Sequence, residues 1–267
     1  MSGKLQGNIV VTGSNRGIGL ELVRQLAQQV KEEETHLYAC CREPEGSRAQ
    51  TLRELAAQHP GKISIIRLDI SDEESISAAV QAVSEHIGDG GLNLLINNAA
   101  INKPASPAPL SATEKKHMMD VYETNVVGPF LLAKMFLPLL QRAAERDSPE
   151  NNKGDTMSCR RSAIINISTL ISSIEKCPES FSVAQMYPYR TSKAALNMLT
   201  RCQAEDFRTH NILVTAVHPG WVQTEMGGDQ APLTTQDSVR GMLSVMVSFS
   251  NKDCGRLLDW QGGTIPW

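Results

Sequence analysis

Short apolar runs, each too brief to make a helix, alternate along this chain with longer stretches of mixed polarity. The runs are Asn8–Thr12, His36–Cys41, Ile63–Leu68, Leu92–Ile96, Ser162–Ile167 and Ile212–Val217. They are rich in β-branched residues and read as buried strands. Between them, Leu20–Val30 has a helical pattern, and Ser71-Asp-Glu-Glu74 opens a helix as a capping sequence with acids in its first turn. Ala112–Leu140 reads as a long helix interrupted near Gly128-Pro129, and another helix follows Pro188, running roughly from Arg190 to Arg208. Strand and helix in alternation predict an α/β fold with a mostly parallel, doubly wound sheet of about seven strands and helices on both faces. Residues 143–161 are polar and turn-rich and read as a surface loop, and the 267 residues are expected to form one domain.

The turn after the first strand carries Gly13-Ser-Asn-Arg-Gly17-Ile-Gly19 and leads straight into a helix. Glycines there let backbone N–H groups approach a pyrophosphate, and the helix start adds free donors and the positive end of its dipole. The spacing differs from Gly-x-Gly-x-x-Gly, so an ordinary glycine-rich loop stays open as the alternative. Arg42 follows the second strand, where a Rossmann-like fold meets the adenosine ribose, and Arg16 lies in the glycine loop. Two guanidiniums suit a 2′-phosphate better than a neutral diol, which favours NADP(H) over NAD(H). The alternative is solvated surface, with Glu43 as a partner for Arg42. Asp69 at the end of the third strand is either a cofactor contact or part of the following helix cap.

Tyr189 and Lys193 stand four residues apart, on one face if the chain turns helical after Pro188. An ammonium within a few ångströms favours the phenolate and lowers the tyrosine pKa from about 10. Such a phenol is a general acid for a carbonyl oxygen whose carbon receives hydride. With 4 Tyr in the chain, a chance Tyr-x-x-x-Lys is not rare, and the pair needs a hydride source beside it.

Composition narrows the partners. With 26 basic and 29 acidic residues the net charge is -3, which offers no electrostatic footprint for nucleic acid or an anionic membrane. The first residues lack the apolar core of a secretory signal, and the most apolar stretch, Val126–Leu140, is short and carries Lys134, Pro129 and Pro138. A cytoplasmic protein is expected. Six cysteines without Cys-x-x-Cys or paired His spacing predict free thiols and no metal site.

The motifs together resemble the short-chain dehydrogenase/reductases, over essentially the whole chain. Thr12-Gly-Ser-Asn-Arg-Gly-Ile-Gly19 matches that family's glycine motif, Asn97-Asn-Ala-Ala100 its Asn-Asn-Ala-Gly motif with Ala at the last place, and Tyr189-Arg-Thr-Ser-Lys193 its active-site motif. The resemblance implies a Rossmann-like fold in which Gly13, Ser14, Asn15, Arg16, Gly17, Ile18 and Gly19 hold the cofactor phosphates. It implies adenine contacts from Asp69 and Ile70, and Asn97 and Ala99 along the adenosine ribose. Pro219-Gly220 matches a further motif, with Val222 and Thr224 meeting the nicotinamide amide and neighbouring phosphate. Asn125 falls at the asparagine of the catalytic tetrad, where it either satisfies backbone groups or also holds a water against the lysine. The family usually carries Ser-Ser where this chain has Ser168-Thr169, so Thr169, or Ser168 in its place, would orient the carbonyl.

Thr169 and Tyr189 are farther apart than is usual in that family, with Cys177-Pro-Glu-Ser-Phe-Ser-Val183 as the excess, and Glu225–Pro232 reads as a mobile, glycine-rich lid. Trp221, Met226, Phe181 and Met186 are candidate pocket walls. The run His218–Gly228 and the ending Gly263-Thr-Ile-Pro-Trp267 are similar to the sniffer-like carbonyl reductases. The implied activity is NADPH-dependent reduction of a small aldehyde, ketone or quinone. A catalytically weak NADPH-binding regulatory protein is the rival, and an epimerase or dehydratase using bound NAD is disfavoured by Arg16 and Arg42. The resemblance also implies a homodimer pairing the long helix around Asn125 with the helix of Tyr189, although the extra residues before Tyr189 could obstruct that surface.

Overall fold

Parallel strands covered on both faces must be apolar throughout, and the strands of this chain meet that demand. The computed structural model describes residues 4–29, 35–146 and 157–267. Its strands are β1 (Gly7–Thr12), β2 (Thr35–Cys41), β3 (Ile63–Arg67), β4 (Leu94–Asn97), β5 (Ala163–Ile167), β6 (Leu213–His218), β7 (Leu257–Asp259) and β8 (Thr264–Ile265). They form one sheet in the order β3-β2-β1-β4-β5-β6-β7-β8. Every pairing is parallel except β7 with β8, which is antiparallel. The sheet thus has eight strands where about seven were expected. The last two are three and two residues long, too short to leave a hydrophobic period in the sequence.

Around the sheet lie α1 (Gly17–Gln29), α2 (Gln50–Gln58), α3 (Glu73–Ile87), α4 (Lys115–Tyr122), α5 (Gly128–Arg146), α6 (Cys177–Ser180), α7 (Tyr187–Asp206) and α8 (Thr235–Ser248). Helix α1 packs on α8, α3 on α5, and α4 on α7. The apolar faces of these helices and the strands share one core, with Leu22, Leu26, Leu94, Ile96, Phe136 and Val214 all but inaccessible to solvent. Each such side chain contributes about 1.5–3 kcal/mol by leaving water.

The expected long helix is real but begins at Lys115 and runs to Arg146. Its interruption precedes Gly128-Pro129: Glu123–Val127 form a π turn, closed by the Gly128 N–H donating to the Glu123 carbonyl. Pro129 then falls in the first turn of α5, where its missing N–H costs little. A Cβ on Gly128 would lie 2.4 Å from the Ile70 carbonyl oxygen, so only glycine lets the helix rest against the loop after β3. Half of the most apolar window of this 32-residue run is buried in the protein, against the sheet that it covers.

The surface loop expected over 143–161 is corrected at both ends. Ala143 and Ala144 are buried in the last turns of α5, and Met157 and Cys159 belong to the core; residues 147–156 lie outside the described residues. Short apolar anchors inside a polar segment carry no periodicity, which is why the pattern missed them. Helix α7 begins at Tyr187, three residues before the expected Arg190; Pro188 takes the first turn while Met186 turns the chain in with a φ of 35°. All six cysteines are free thiols, as expected.

Candidate active site

The chain winds from β1 out to β3 and then returns to β4 on the other side of β1, so the loops after β1 and β4 leave the sheet side by side and open a crevice. Thr12, the last residue of β1, ties them together. Its hydroxyl accepts from the Asn98 and Ala99 N–H groups at 3.0 and 2.9 Å, and Asn98 Nδ2 donates to the Thr12 carbonyl at 2.9 Å. The loop is drawn so tight that a Cβ on Gly19 would lie 2.1 Å from the Gly13 carbonyl oxygen. Gly13, Asn15, Arg16, Gly17, Ile18 and Gly19 then line a cleft of about 1120 Å³. Ser14 does not join them: it is buried, its hydroxyl donating to the Val11 carbonyl at 2.7 Å.

Along the wall of the cleft, Asp69, Ile70 and Ala99 line it, whereas Asn97 sits beneath it. Asn97 Nδ2 donates to Asn166 Oδ1 at 2.8 Å, and Asn166 Nδ2 donates to Thr200 Oγ1 at 2.9 Å, a polar relay from β4 through β5 to α7. Asn97 Oδ1 is buried without a hydrogen-bond partner among the described residues. Asp69 lines the cleft, and its Oδ1 accepts from the N–H and hydroxyl of Ser71 in the turn before α3, outside the helix cap. The cap of α3 itself is Asp72, whose side chain accepts from the Glu74 N–H.

Tyr189 and Lys193 come up from α7 and both line the cleft. The Lys193 nitrogen lies 5.7 Å from the centre of the Tyr189 ring and donates to the Ile167 carbonyl at 2.7 Å. The pair meets as the spacing predicts, but its electrostatics differ from expectation. Burial pushes the Tyr189 phenol up to about 12 and the Lys193 ammonium down to about 7. Desolvation penalises both charged forms, and at this separation it outweighs the attraction that was expected to lower the tyrosine.

Ser168 and Thr169 follow β5. Ser168 is buried at the edge of the cleft, and its hydroxyl donates to Asn197 Oδ1 at 2.6 Å. Asn197 Nδ2 donates to Ser172 Oγ at 2.8 Å, and Ser172 Oγ to the Thr169 carbonyl at 2.5 Å. Thr169 Oγ1 only accepts, from the Ile171 N–H at 3.4 Å. The Thr169 proton is therefore uncommitted while that of Ser168 is engaged. Asn125, fully buried in the π turn, accepts from the Ile101 N–H and donates to the Ile101 carbonyl, each at 2.9 Å, and donates to Ser192 Oγ at 3.1 Å. Its side chain joins the loop after β4 to α7 and does not reach Lys193.

At the far end of the cleft stand Arg16, Arg42 and, unforeseen, Arg48 from the 3-10 turn before α2. Burial and the two neighbouring guanidiniums hold Arg16 below the usual arginine range. Among the described residues no ion pair joins Arg42 to Glu43. Glu225, from the segment read as a lid, pairs with both Arg16 and Arg48.

Pro219, Gln223 and Thr224 line the cleft; Gly220 and Val222 are not among its lining residues, and Val222 is buried. The lid segment is tied to itself: Thr224 takes the Gly227 N–H on its hydroxyl and the Gly228 N–H on its carbonyl, and Trp221 Nε1 donates to the Gly227 carbonyl. The extra residues before Tyr189 form α6 and its flanks, held by buried Arg190. That guanidinium donates to the Ala184, Ile171 and Ser180 carbonyls at 2.6, 3.0 and 2.8 Å and lies over the Phe181 ring. Met226 lines the cleft, Trp221 is half exposed, and Phe181 and Met186 pack within the insertion. Sequence reasoning passed over Thr12, Asn98, Arg48, Asn197, Glu225 and Arg190 as functional residues. For Arg48 a signal existed, since it is a third arginine shortly after the second strand; the others act through contacts distant in sequence.

A sequence-family model for short chain dehydrogenases matches residues 7–233. A short-chain dehydrogenase of Penicillium roqueforti is 30% identical over 257 residues, covering 94% of this chain and 93% of that protein. The NADPH-bound carbonyl reductase from chicken fatty liver is 42% identical with a TM-score of 0.90, covering 99% of this chain and all of the other. The carbonyl reductase Sniffer of D. melanogaster is 33% identical with a TM-score of 0.87, covering 98% and 100% of the two chains.

Proposed function

The chain belongs to the short chain dehydrogenase family, and from that premise we propose that it is an NADPH-dependent carbonyl reductase acting in the cytoplasm on a small aldehyde, ketone or quinone. The observation that carries the reading is the placing of Tyr189 and Lys193 on one cleft with three arginines at its other end. The residues present fit the cofactor. Gly13 and Gly19 leave the loop no room for a side chain, and the start of α1 offers donors for a pyrophosphate. Arg16, Arg42 and Arg48 would hold the 2′-phosphate, Asp69 and Ile70 the adenine, and Pro219 and Thr224 the nicotinamide end.

Bound NADPH supplies hydride to the carbonyl carbon. Tyr189 donates its hydroxyl proton to the carbonyl oxygen, and Thr169, whose proton is uncommitted, donates a hydrogen bond that orients it. Ser168 serves instead to fix Asn197 and α7. Lys193, held by the Ile167 carbonyl, lends positive charge beneath the phenol whenever anionic groups in the cleft favour its ammonium form. Asn125 positions α7 through Ser192. No feature of the site favours the regulatory alternative. Free cysteines accord with a reducing compartment. The chain is read as one domain, and exposed Met119, Tyr122 and Phe130 on the long helix would suit a homodimer.

Loss of NADPH absorbance with a panel of quinones, aromatic aldehydes and ketones tests the activity. Turnover with NADPH well above NADH is expected; NADPH binding without any turnover would overturn the reading.

A further inference from the structure

Glu225 stands where a ligand's charge would stand. One of its carboxylate oxygens is in close contact with Arg16 Nη1 and the other lies 3.5 Å from Arg48 Nη2. The two arginines come from different walls of the cleft, one from the glycine loop and one from the turn before α2, and Arg42 stands close enough to repel Arg16. The carboxylate comes from a third element, the lid, immediately after Thr224, which fixes the lid's first turn through Gly227 and Gly228. Two guanidiniums share the one carboxylate and a third, Arg42, stands near Arg16, so the cluster around Arg16 holds more positive charge than Glu225 alone offsets. A phosphate dianion, with three acceptor oxygens and twice the charge, satisfies such a cluster better than one carboxylate. The Glu225 and Arg48 side chains are 62% and 65% exposed, so the internal pairing is screened by water and readily exchanged.

Resting on the cofactor reading above, we propose that Glu225 is a resident counterion of the 2′-phosphate site, displaced from Arg16 and Arg48 when NADP(H) binds and left in place when NAD(H) binds. Two consequences follow for the same residue. It competes with the phosphate, and so sets how steeply the protein prefers one dinucleotide over the other. It also links the phosphate end to the lid, because the carboxylate that must leave is carried by the segment flanking the nicotinamide end. Arg48 becomes a specificity residue of the site beside Arg16 and Arg42.

The test is a fluorescence titration of the full chain with NADPH, NADH, adenosine 2′-monophosphate and adenosine 5′-monophosphate, for the unaltered protein, Glu225→Gln, Arg48→Ala and the double variant. Glu225→Gln is expected to tighten NADPH and the 2′-monophosphate about two- to fivefold, the range set by an exposed ion pair, and to leave NADH and the 5′-monophosphate within error. In the Arg48→Ala background the gain should shrink, because the two residues share one interaction. Equal effects on phosphorylated and unphosphorylated ligands, or weaker NADPH binding in Glu225→Gln, would overturn the counterion role while leaving the cofactor reading intact. Failure of the unaltered protein to bind NADPH would sink both.

Discussion

The Lys193 ammonium donates to the main-chain carbonyl of Ile167, the last residue of β5, at 2.7 Å. This bond ties the lysine to the end of β5, and among the described residues no ion pair joins Lys193 to an acidic side chain, so its charge is met by a carbonyl dipole and the nearby Tyr189 ring. Burial then takes it down to about 7. The sign of the pH effect follows. Between about pH 7 and the lysine's ordinary value of about 10.5 the unfolded chain keeps this proton when the folded one has lost it, so the lysine's contribution to stability rises with pH, until the buried thiols of Cys40, Cys41, Cys159 and Cys254, pushed up by burial, begin to oppose it near pH 9. The slope from this group is at most about 1.4 kcal/mol per pH unit. Replacing it by Lys193→Met should remove this contribution, as seen in urea unfolding midpoints between about pH 7 and 8, below the range in which the buried thiols begin to titrate.

Tyr189→Phe removes the proposed proton donor and leaves the ring that packs near Lys193. The variant should fold and bind NADPH, yet reduce carbonyls about 10²–10⁴-fold more slowly. A fully active Tyr189→Phe in the NADPH oxidation assay would refute the proposed acid.

The adjacent hydroxyls after β5 should separate in the same assay. Thr169→Val is expected to lower kcat while Thr169→Ser preserves it, because only the hydroxyl is needed. Ser168→Ala, by contrast, leaves Asn197 Oδ1 without its donor, and a loss of stability of about 1–3 kcal/mol is expected. Thermal unfolding read beside kcat tells the two roles apart.

Asn125→Ala strips both main-chain groups of Ile101 of their partner inside the protein. Ile101 is half-buried and lines the cleft, so water can meet part of the deficit, and a loss of about 1–3 kcal/mol is expected. The melting temperature should fall sharply even with NADPH present; an unchanged value would mean that the π turn is held by other contacts.

Arg42→Asp should weaken NADPH far more than NADH in equilibrium titrations, since it places a carboxylate where a phosphate is expected. Equal weakening of both would remove the basis for the phosphate preference.

The parts legible in the sequence were those with a local signature. The β-branched runs, the glycine turn after Thr12 and the Tyr189–Lys193 spacing each declare themselves within a few residues. The eight-stranded order required β7 and β8, which are too short to show a period, and the polar stretch around 143–161 concealed the buried Met157 and Cys159. The electrostatics of the pair were misjudged because burial is a property of the fold: four residues of spacing give proximity, but not how much water remains. Contacts such as Thr12 with Asn98 or Glu225 with Arg16 join residues far apart along the chain, and no window of sequence contains both.

The grip of Arg190 on the insertion has a consequence for how the pocket can change. Its partners are chiefly main-chain oxygens, at Ile171, Ser180 and Ala184, and every amino acid offers such an oxygen. Apart from Ser180, whose hydroxyl also accepts from Arg190, and Phe181, whose ring lies beneath the guanidinium, the side chains between Cys177 and Gln185 can therefore vary while the anchor holds and α7 stays where it is. One arginine inside the active-site motif thus separates what the pocket recognises from what it does.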